Sequence, residues 1–397
     1  MKKNIILFFI LALFSCANAL PLKDEIRGVW VPDPQYTDVL KSYQNVVNFV
    51  STLDSLNFNS VYVVSYALSK TLYSSEVLLT NSNYAHIDST SLLTPIMKTY
   101  NSPLISPSGD PVRDLITEAH KRNIKVFFWY EFGFMADIKL ATPENNPILA
   151  KHPGWVGIGN DGKPASYNNH DFYFNSFDPA VQNFVLQLVT EGIKKYPDVD
   201  GIQGDDRLPA MCINSGYEKS TVNRYKSEHN GAVPPANFKD STWVRWRLNI
   251  LNSFGKTLYN KVKSTNPKVM VSFAPNPYPW SKDNLMQEWP EWVTSGFCDL
   301  LAVQCYRYDS IGYRNTVSQA KSFIKPMPGK KQLFVPGIIL MVSGKISDAQ
   351  ALKKQVLINR ELETNGEIFF YNEGLRNPEI RKVIKELYPG KAIFPKQ

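Results

Sequence analysis

Histidine is scarce in this 397-residue chain, with five residues at positions 86, 120, 152, 170 and 229. None forms a pair at the spacing that sets two ligands on one helix or strand face, which excludes the usual His-built metal site. Cysteine is scarcer still. Of four, Cys16 falls in an N-terminal leader, and Cys212, Cys298 and Cys305 form an odd set that allows at most one disulfide. Three signatures are missing outright. No glycine-rich dinucleotide loop follows the first predicted strand, and neither a phosphate loop nor a Gly-x-Ser-x-Gly nucleophile turn occurs. The formal charge is +8, but it is dispersed with no basic block, so nucleic acid is not an expected partner. Past the leader, no apolar run is long enough to cross a membrane. Neither a metal nor an organic cofactor is implied.

The first 19 residues read as a secretory leader. Lys2 and Lys3 supply the basic start, Ile5 to Phe14 an apolar core too short to span a bilayer, and Ala17-Asn18-Ala19 a small-x-small cleavage site. Leu13-Phe14-Ser15-Cys16 also resembles a relaxed lipobox, and lipidation of Cys16 is the one expected route to membrane attachment. Simple secretion is favoured, because Arg27 opens the fold a few residues later and leaves almost no tether. Either route gives an extracytoplasmic protein: periplasmic, cell-surface or secreted. Residues 20–397 then form a single domain, long for an ordinary fold but normal for an elaborated α/β barrel. Aromatic residues make up 13% of the chain and include eight Trp. Such rings serve as sugar-stacking platforms in clefts and as filler in large cores.

Eight short β-type runs alternate with helical patterns. The runs begin at Arg27, Ser60, Ile124, Val199, Val269, Leu300, Leu333 and Ile368. Between them, Val46, Val47, Val50, Leu53 and Leu56 recur at helical spacing, as do Trp243, Trp246, Ile250, Phe254, Leu258 and Val262. Asp110-Pro111 and Asp178-Pro179 each join an N-cap to a first-turn proline, and Ser347 is the expected cap of a helix through Ile358. Two long segments, Ala67 to Gly109 and Ala136 to Asp178, lack periodicity and read as functional loops. Eight βα units with no flexible linker predict one (β/α)8 barrel.

In such a barrel the C-terminal strand ends converge on one cleft. Those ends carry Trp30, Tyr66, Glu131, Asp205-Asp206-Arg207, Asn276, Gln304 with Tyr306, and Asn372 with Glu373. Carboxylates and aromatic rings with no histidine suit glycoside hydrolysis, which needs one carboxylic acid and one carboxylate flanking the scissile bond. Adjacent strand residues point to opposite faces, so Asp205 and Asp206 are not that pair. Asp205, which shares its face with Gln203, is expected in the cleft, with Glu131 or Glu373 as partner. Asp206 beside Arg207 is expected to stay ionised and to hold substrate or the arginine. Trp30, Trp129 and Trp280 are candidate sugar platforms, Trp280 because it ends the exposed run Pro275-Asn276-Pro277-Tyr278-Pro279. A plain structural reading, a capped strand end with an Asp–Arg pair, also accounts for Val199 to Arg207 taken alone.

Several segments together resemble the glycosyl-hydrolase-like 10 family of secreted bacterial glycosidase-type barrels. They are Arg27-Gly28-Val29-Trp30, Leu72-Tyr73-Ser74-Ser75, Asp110-Pro111, Glu118-Ala119-His120-Lys121-Arg122 and His152-Pro153-Gly154-Trp155-Val156. Asp200-Gly201-Ile202 with Asp205-Asp206, Trp243-Val244-Arg245-Trp246-Arg247, Lys268 to Pro275, and Gln304 with Tyr306 complete the set. The family pattern carries His, an aromatic and Tyr where this chain has Gln203, Gly204 and Arg207, and Asn where it has Glu131. The resemblance implies a polysaccharide or oligosaccharide substrate, of bacterial cell-wall or surface type. A glycan-binding barrel without catalysis, or a transglycosylase, would use the same scaffold.

Overall fold

The computed structural model describes residues 24–396 apart from 101–105, 139 and 168–170. The segment read as a leader, with Cys16, lies outside the described residues.

The strands are β1 Ile26–Val31, β2 Ser60–Val64, β3 Lys125–Tyr130, β4 Gly201–Gly204, β5 Met270–Phe273 and β6 Leu300–Leu301. A broken β7 follows, in two segments Leu333–Phe334 and Gly337–Ile339, and then β8 Gly366–Phe370. All pair in parallel, in the order β6, β5, β4, β3, β2, β1, β8. β7 closes the sheet. Its first segment ladders with β6 and its second with β8, on either side of Pro336, which has no N–H to give. Both ends of the sheet are therefore one strand, and the sheet is a closed (β/α)8 barrel. The regular part of β6 is only Leu300–Leu301 of the stretch expected from Leu300 to Tyr306, though the N–H groups of Ala302 and Gln304 still donate to the carbonyls of Phe273 at 2.7 Å and Pro275 at 2.9 Å.

Each strand leads to a helix on the outside. These are α1 Tyr43–Ser55, α2 Pro111–His120, α3 Pro179–Lys195, α4 Ser241–Thr265, α5 Trp289–Thr294, α6 Ser310–Ser322, α7 Ala349–Glu361 and α8 Pro378–Leu387. Their starts follow the sequence chemistry. Asp110 accepts from the N–H groups of Val112 and Arg113, and Asp178 from that of Ala180. α7 differs from expectation: Asp348, not Ser347, caps it by accepting from Ala351, and Ser347 instead donates to the carbonyl of Ile339. α4 buries Trp243, Ile250, Phe254, Leu258 and Val262 on one face, each such side chain contributing about 1.5–3 kcal/mol. Among the described residues, no helix is long and apolar enough to cross a membrane.

The two long segments are more ordered than their composition suggests. The first carries the hairpin Tyr66–Ala67 with Lys70–Thr71 and the helices Glu76–Asn81 and Thr94–Tyr100. The second pairs Met135–Ile138 with Asp171–Tyr173 antiparallel. Both follow strand C-termini and wall the same face. Cys212, Cys298 and Cys305 are buried free thiols.

Candidate active site

At the C-terminal mouth of the barrel, a cavity of about 80 Å³ is lined by Trp30, Trp129, Glu131, Asp205, Asp206, Arg207, Ala274, Gln304, Tyr306 and Phe370. Six strands contribute to it. Its floor is a relay across the barrel interior: Trp30 Nε1 donates to Gln203 Oε1 at 2.6 Å, and Gln203 Nε2 to Ser272 Oγ at 2.8 Å. Its wall is aromatic. Trp30 packs 6.4 Å from Trp129 and 6.0 Å from Phe370, and Phe370 lies 5.4 Å from Tyr306.

Arg207 organises the charge. Its Nη1 donates to Asp205 Oδ2 at 2.9 Å and to the carbonyl of Glu131 at 3.3 Å. The same nitrogen lies 3.4 Å from Asp206 Oδ1 and 4.0 Å from Glu131 Oε1. One guanidinium thus serves three carboxylates. Asp205 is the best supplied of them: it also accepts from Trp129 Nε1 at 3.1 Å and from the backbone N–H of Arg207 at 2.9 Å. Among the described residues, the Glu131 carboxylate accepts no hydrogen bond.

That asymmetry decides where a proton sits. Burial pushes the Glu131 carboxyl up to about 7, Arg207 opposing and the Asp33 and Asp206 charges adding to the rise. Burial also drives Asp205 well above the usual carboxylate range, against the pull of Arg207 and with the Asp206 and Glu131 charges adding to the rise. With three donors on Asp205 and none on Glu131, the anion is better held by Asp205 and the proton by Glu131. Asp33, buried at the end of β1 between Pro32 and Pro34, has its own carboxyl raised by burial.

The turn after β4 places these groups. A Cβ on Gly204 would come within 2.4 Å of the carbonyl oxygen of Leu208, so only glycine lets the chain fold back there. Gln287 pins the same turn from below, donating to the carbonyls of Asp205 at 2.8 Å and Pro209 at 3.2 Å. Neither Asp33 nor Gln287 is conspicuous in the sequence; the proline on each side of Asp33 was the available signal.

The remaining candidates stand elsewhere. Asn276 lies behind Asp206, donating to its Oδ2 at 3.1 Å. Tyr66 is buried in its hairpin outside the cavity. Asn372 and Glu373 turn away: Asn372 donates to Thr37 Oγ1 at 3.0 Å, and Glu373 pairs with Arg376 at 2.6 Å, lining a separate groove beside α1. Trp280 is 40% exposed on the rim.

A (β/α)8 barrel with carboxylates and an aromatic wall at its C-terminal mouth is a glycosidase-like barrel. The chain belongs to the glycosyl hydrolase-like 10 family, whose model matches residues 25–326. It is similar to glycosyl hydrolase YngK of Bacillus subtilis (strain 168), at 23% identity over 98% of this chain and 76% of that protein. It is also similar to glycosyl hydrolase DigH of Escherichia coli (strain K12), at 23% identity over 71% of this chain and 68% of that protein. The PgaB (BpsB) glycoside hydrolase domain from Bordetella bronchiseptica shares the fold, with a TM-score of 0.62 at 14% identity over 91% of this chain and 98% of that one. The endo-beta-1,4-mannanase from Thermotoga petrophila does so with a TM-score of 0.51 at 10% identity, over 92% and 76%.

Proposed function

We propose that the protein is a secreted glycoside hydrolase acting on a bacterial cell-wall or surface or environmental polysaccharide. Asp205 is the charged carboxylate, Glu131 the general acid, and Asp206 the residue that, with Asn276, steadies Arg207 and the sugar. The observation that carries this reading is the shared Arg207 Nη1, within 4.0 Å of both Asp205 and Glu131 while their environments divide one proton between them. The shared contact keeps the two carboxylates within about 7 Å, which reaches both the 5–5.5 Å of retaining and the low end of the 6.5–9.5 Å of inverting enzymes.

In the reaction, the Glu131 proton passes to the glycosidic oxygen as the C–O bond breaks, and the leaving sugar departs as an alcohol. Asp205 Oδ1, which accepts only the Arg207 backbone N–H, is the freer oxygen to attack the anomeric carbon or to take a proton from water. Glu131, once ionised, lies beside Arg207 and regains its proton from water. Trp30 and Trp129, both buried, and Tyr306 wall the cavity that the sugar would enter.

A second reading, a glycan-binding barrel without turnover, draws on Gln203, Gly204, Arg207 and Glu131, where the chain departs from the family pattern. A cavity of about 80 Å³ is well below the 300–1,000 Å³ usual for ligand pockets, about 300 Å³ being the lower limit. Binding and catalysis at the cavity alike therefore need Arg207 and the loops to yield space. Wild type and Asp205→Asn, assayed on a glycan panel with mass-resolved products, separate the two readings. Hydrolysis by wild type, with Asp205→Asn slower by a factor of about 10² or more yet still binding, is the expected result. Binding without cleavage by wild type defeats the enzyme.

A further inference from the structure

Four aromatic residues are substantially exposed among the described residues: Tyr36, Tyr167, Trp280 and Tyr308. Scattered single apolar residues on a surface carry no meaning. These are not scattered. Tyr36 lies between β1 and α1, Tyr167 between β3 and α3, Trp280 between β5 and α5, and Tyr308 between β6 and α6. All four occupy segments that follow strand C-termini, the face that bears the carboxylates, and none lies on the opposite face.

Two of them touch. The rings of Tyr167 and Trp280 meet edge to face at 5.7 Å, 85° apart. They come from the segments after β3 and β5, the two strands that flank β4 with its Asp205 to Arg207 turn. The contact therefore bridges the loops on either side of the charged cavity. Trp280 is also joined to that cavity along the chain: Ala274 lines it, Asn276 donates to Asp206, and Trp280 stands at the outer end of the same proline-rich run.

The support under Trp280 is rigid. It opens the short helix Trp280–Leu285, whose Ser281 and Leu285 are buried, and its carbonyl accepts from Asn284 at 3.0 Å. A rigidly mounted aromatic ring in solvent meets the C–H face of a pyranose with little loss of freedom on binding. Tyr36 stands on the far side of the mouth, since β1 and β5 are opposite strands in an eight-stranded barrel.

We infer that Trp280 and Tyr167 form a remote sugar-binding platform, so that the substrate is a polysaccharide chain lying across the barrel mouth toward Tyr36, cut within its length. The inference rests on the glycoside-hydrolase reading for its ligand class. The pair binds a sugar unit away from the bond at Glu131 and Asp205, so a ligand that reaches both places is longer than one that fills the central cavity alone.

The test uses cell-wall glycan strands fractionated into short and long pools, with affinity and kcat/KM measured separately. Wild type is expected to favour long strands. In Trp280→Ala and Tyr167→Ala the long-to-short ratio of kcat/KM falls roughly tenfold, the size of one stacking contact, through KM with kcat kept. Trp280→Tyr restores most of the ratio, and Met327→Ala, which removes an exposed apolar side chain from the segment before β7, leaves it as in wild type. An equal loss on short and long strands, or no loss, overturns the platform. Length-dependent binding that needs Trp280, with no turnover by wild type, keeps the platform and defeats the hydrolase. Turnover with affinity indifferent to length does the reverse, and neither binding nor turnover overturns both.

Discussion

Among the described residues, Arg207 is the only cation lining the central cavity, and three carboxylates share it. Charge balance alone then favours a proton on one of them, and Glu131 is the one with no donor. The consequence is measurable. A glutamate in an unfolded chain titrates near about 4.3, and Glu131 in the folded protein is pushed up to about 7. Between those values the folded protein keeps a proton that the unfolded chain has released, so stability falls as pH rises through that window. Glu131→Gln should reduce the slope of the melting-temperature profile there, leaving the part due to Glu218 and Glu367, which burial also pushes up to about 7. The same residue predicts an alkaline limb near pH 7 in the pH–rate profile, where the general acid loses its proton. Glu131→Gln should remove that limb and slow turnover by about 10²–10⁴. If the limb stays in the variant, Glu131 is not the acid.

The turn after β4 is the element on which the site depends, and it is held by a residue from the loop that follows β5. Gln287 is fully buried, with its Nε2 shared between the carbonyls of Asp205 and Pro209. Gln287→Leu has similar volume but leaves both acceptors buried without that donor. We expect a loss of about 1–3 kcal/mol in denaturant unfolding. Activity should fall further than Asp205 chemistry alone explains, because the carboxylate loses its fixed position. A variant as stable and active as wild type would show that the turn is held by its own backbone. β7 makes a related point about elements. A proline at its centre reads as a strand breaker, yet Val335 and Gly337 on either side of it both donate to carbonyls of the β6 stretch, and the strand still closes the barrel.

For the whole molecule, the fastening of the fold and the candidate active site are divided between the two ends of the barrel. The N-terminal end is fastened by Glu25, which receives Arg27 Nε at 2.7 Å and Arg360 Nε at 3.1 Å, while Arg27 Nη1 donates to the carbonyl of Gly390 at 2.6 Å. Phe394 then packs 6.0 Å from Phe127 beneath the barrel. Arg27 belongs to the opening motif of the family resemblance, and its place here is structural. Arg27→Leu leaves a buried carboxylate short of a partner, at a cost of roughly 3–5 kcal/mol, read by denaturant titration. Any turnover should keep its pH profile, since the site lies at the other end. A changed profile would mean that the two ends are coupled.

The order of elements was legible in the residues because it rests on local chemistry. Asp-Pro caps, the helical spacing of Val46 to Leu56 and of Trp243 to Val262, and eight short β-type runs are properties of neighbouring positions. The membership of the central cavity was legible in part for the same reason: Trp30, Glu131, Asp205, Gln304 and Tyr306 follow from where strands end. Side-chain direction was not. Asn372 and Glu373 end a strand as Asp205 does, yet they turn outward, because Thr37 and Arg376 offer them partners more than 300 positions away in one case and three in the other. Asp33 and Gln287 sit in loops, with no periodicity to mark them. The meeting of Tyr167 with Trp280 joins segments over a hundred residues apart. Alternation and capping act over a few residues and are written in the sequence. Which carboxylate is starved of donors, which ring stays in solvent and which turn needs a buried amide depend on long-range packing, and only the folded barrel decides them.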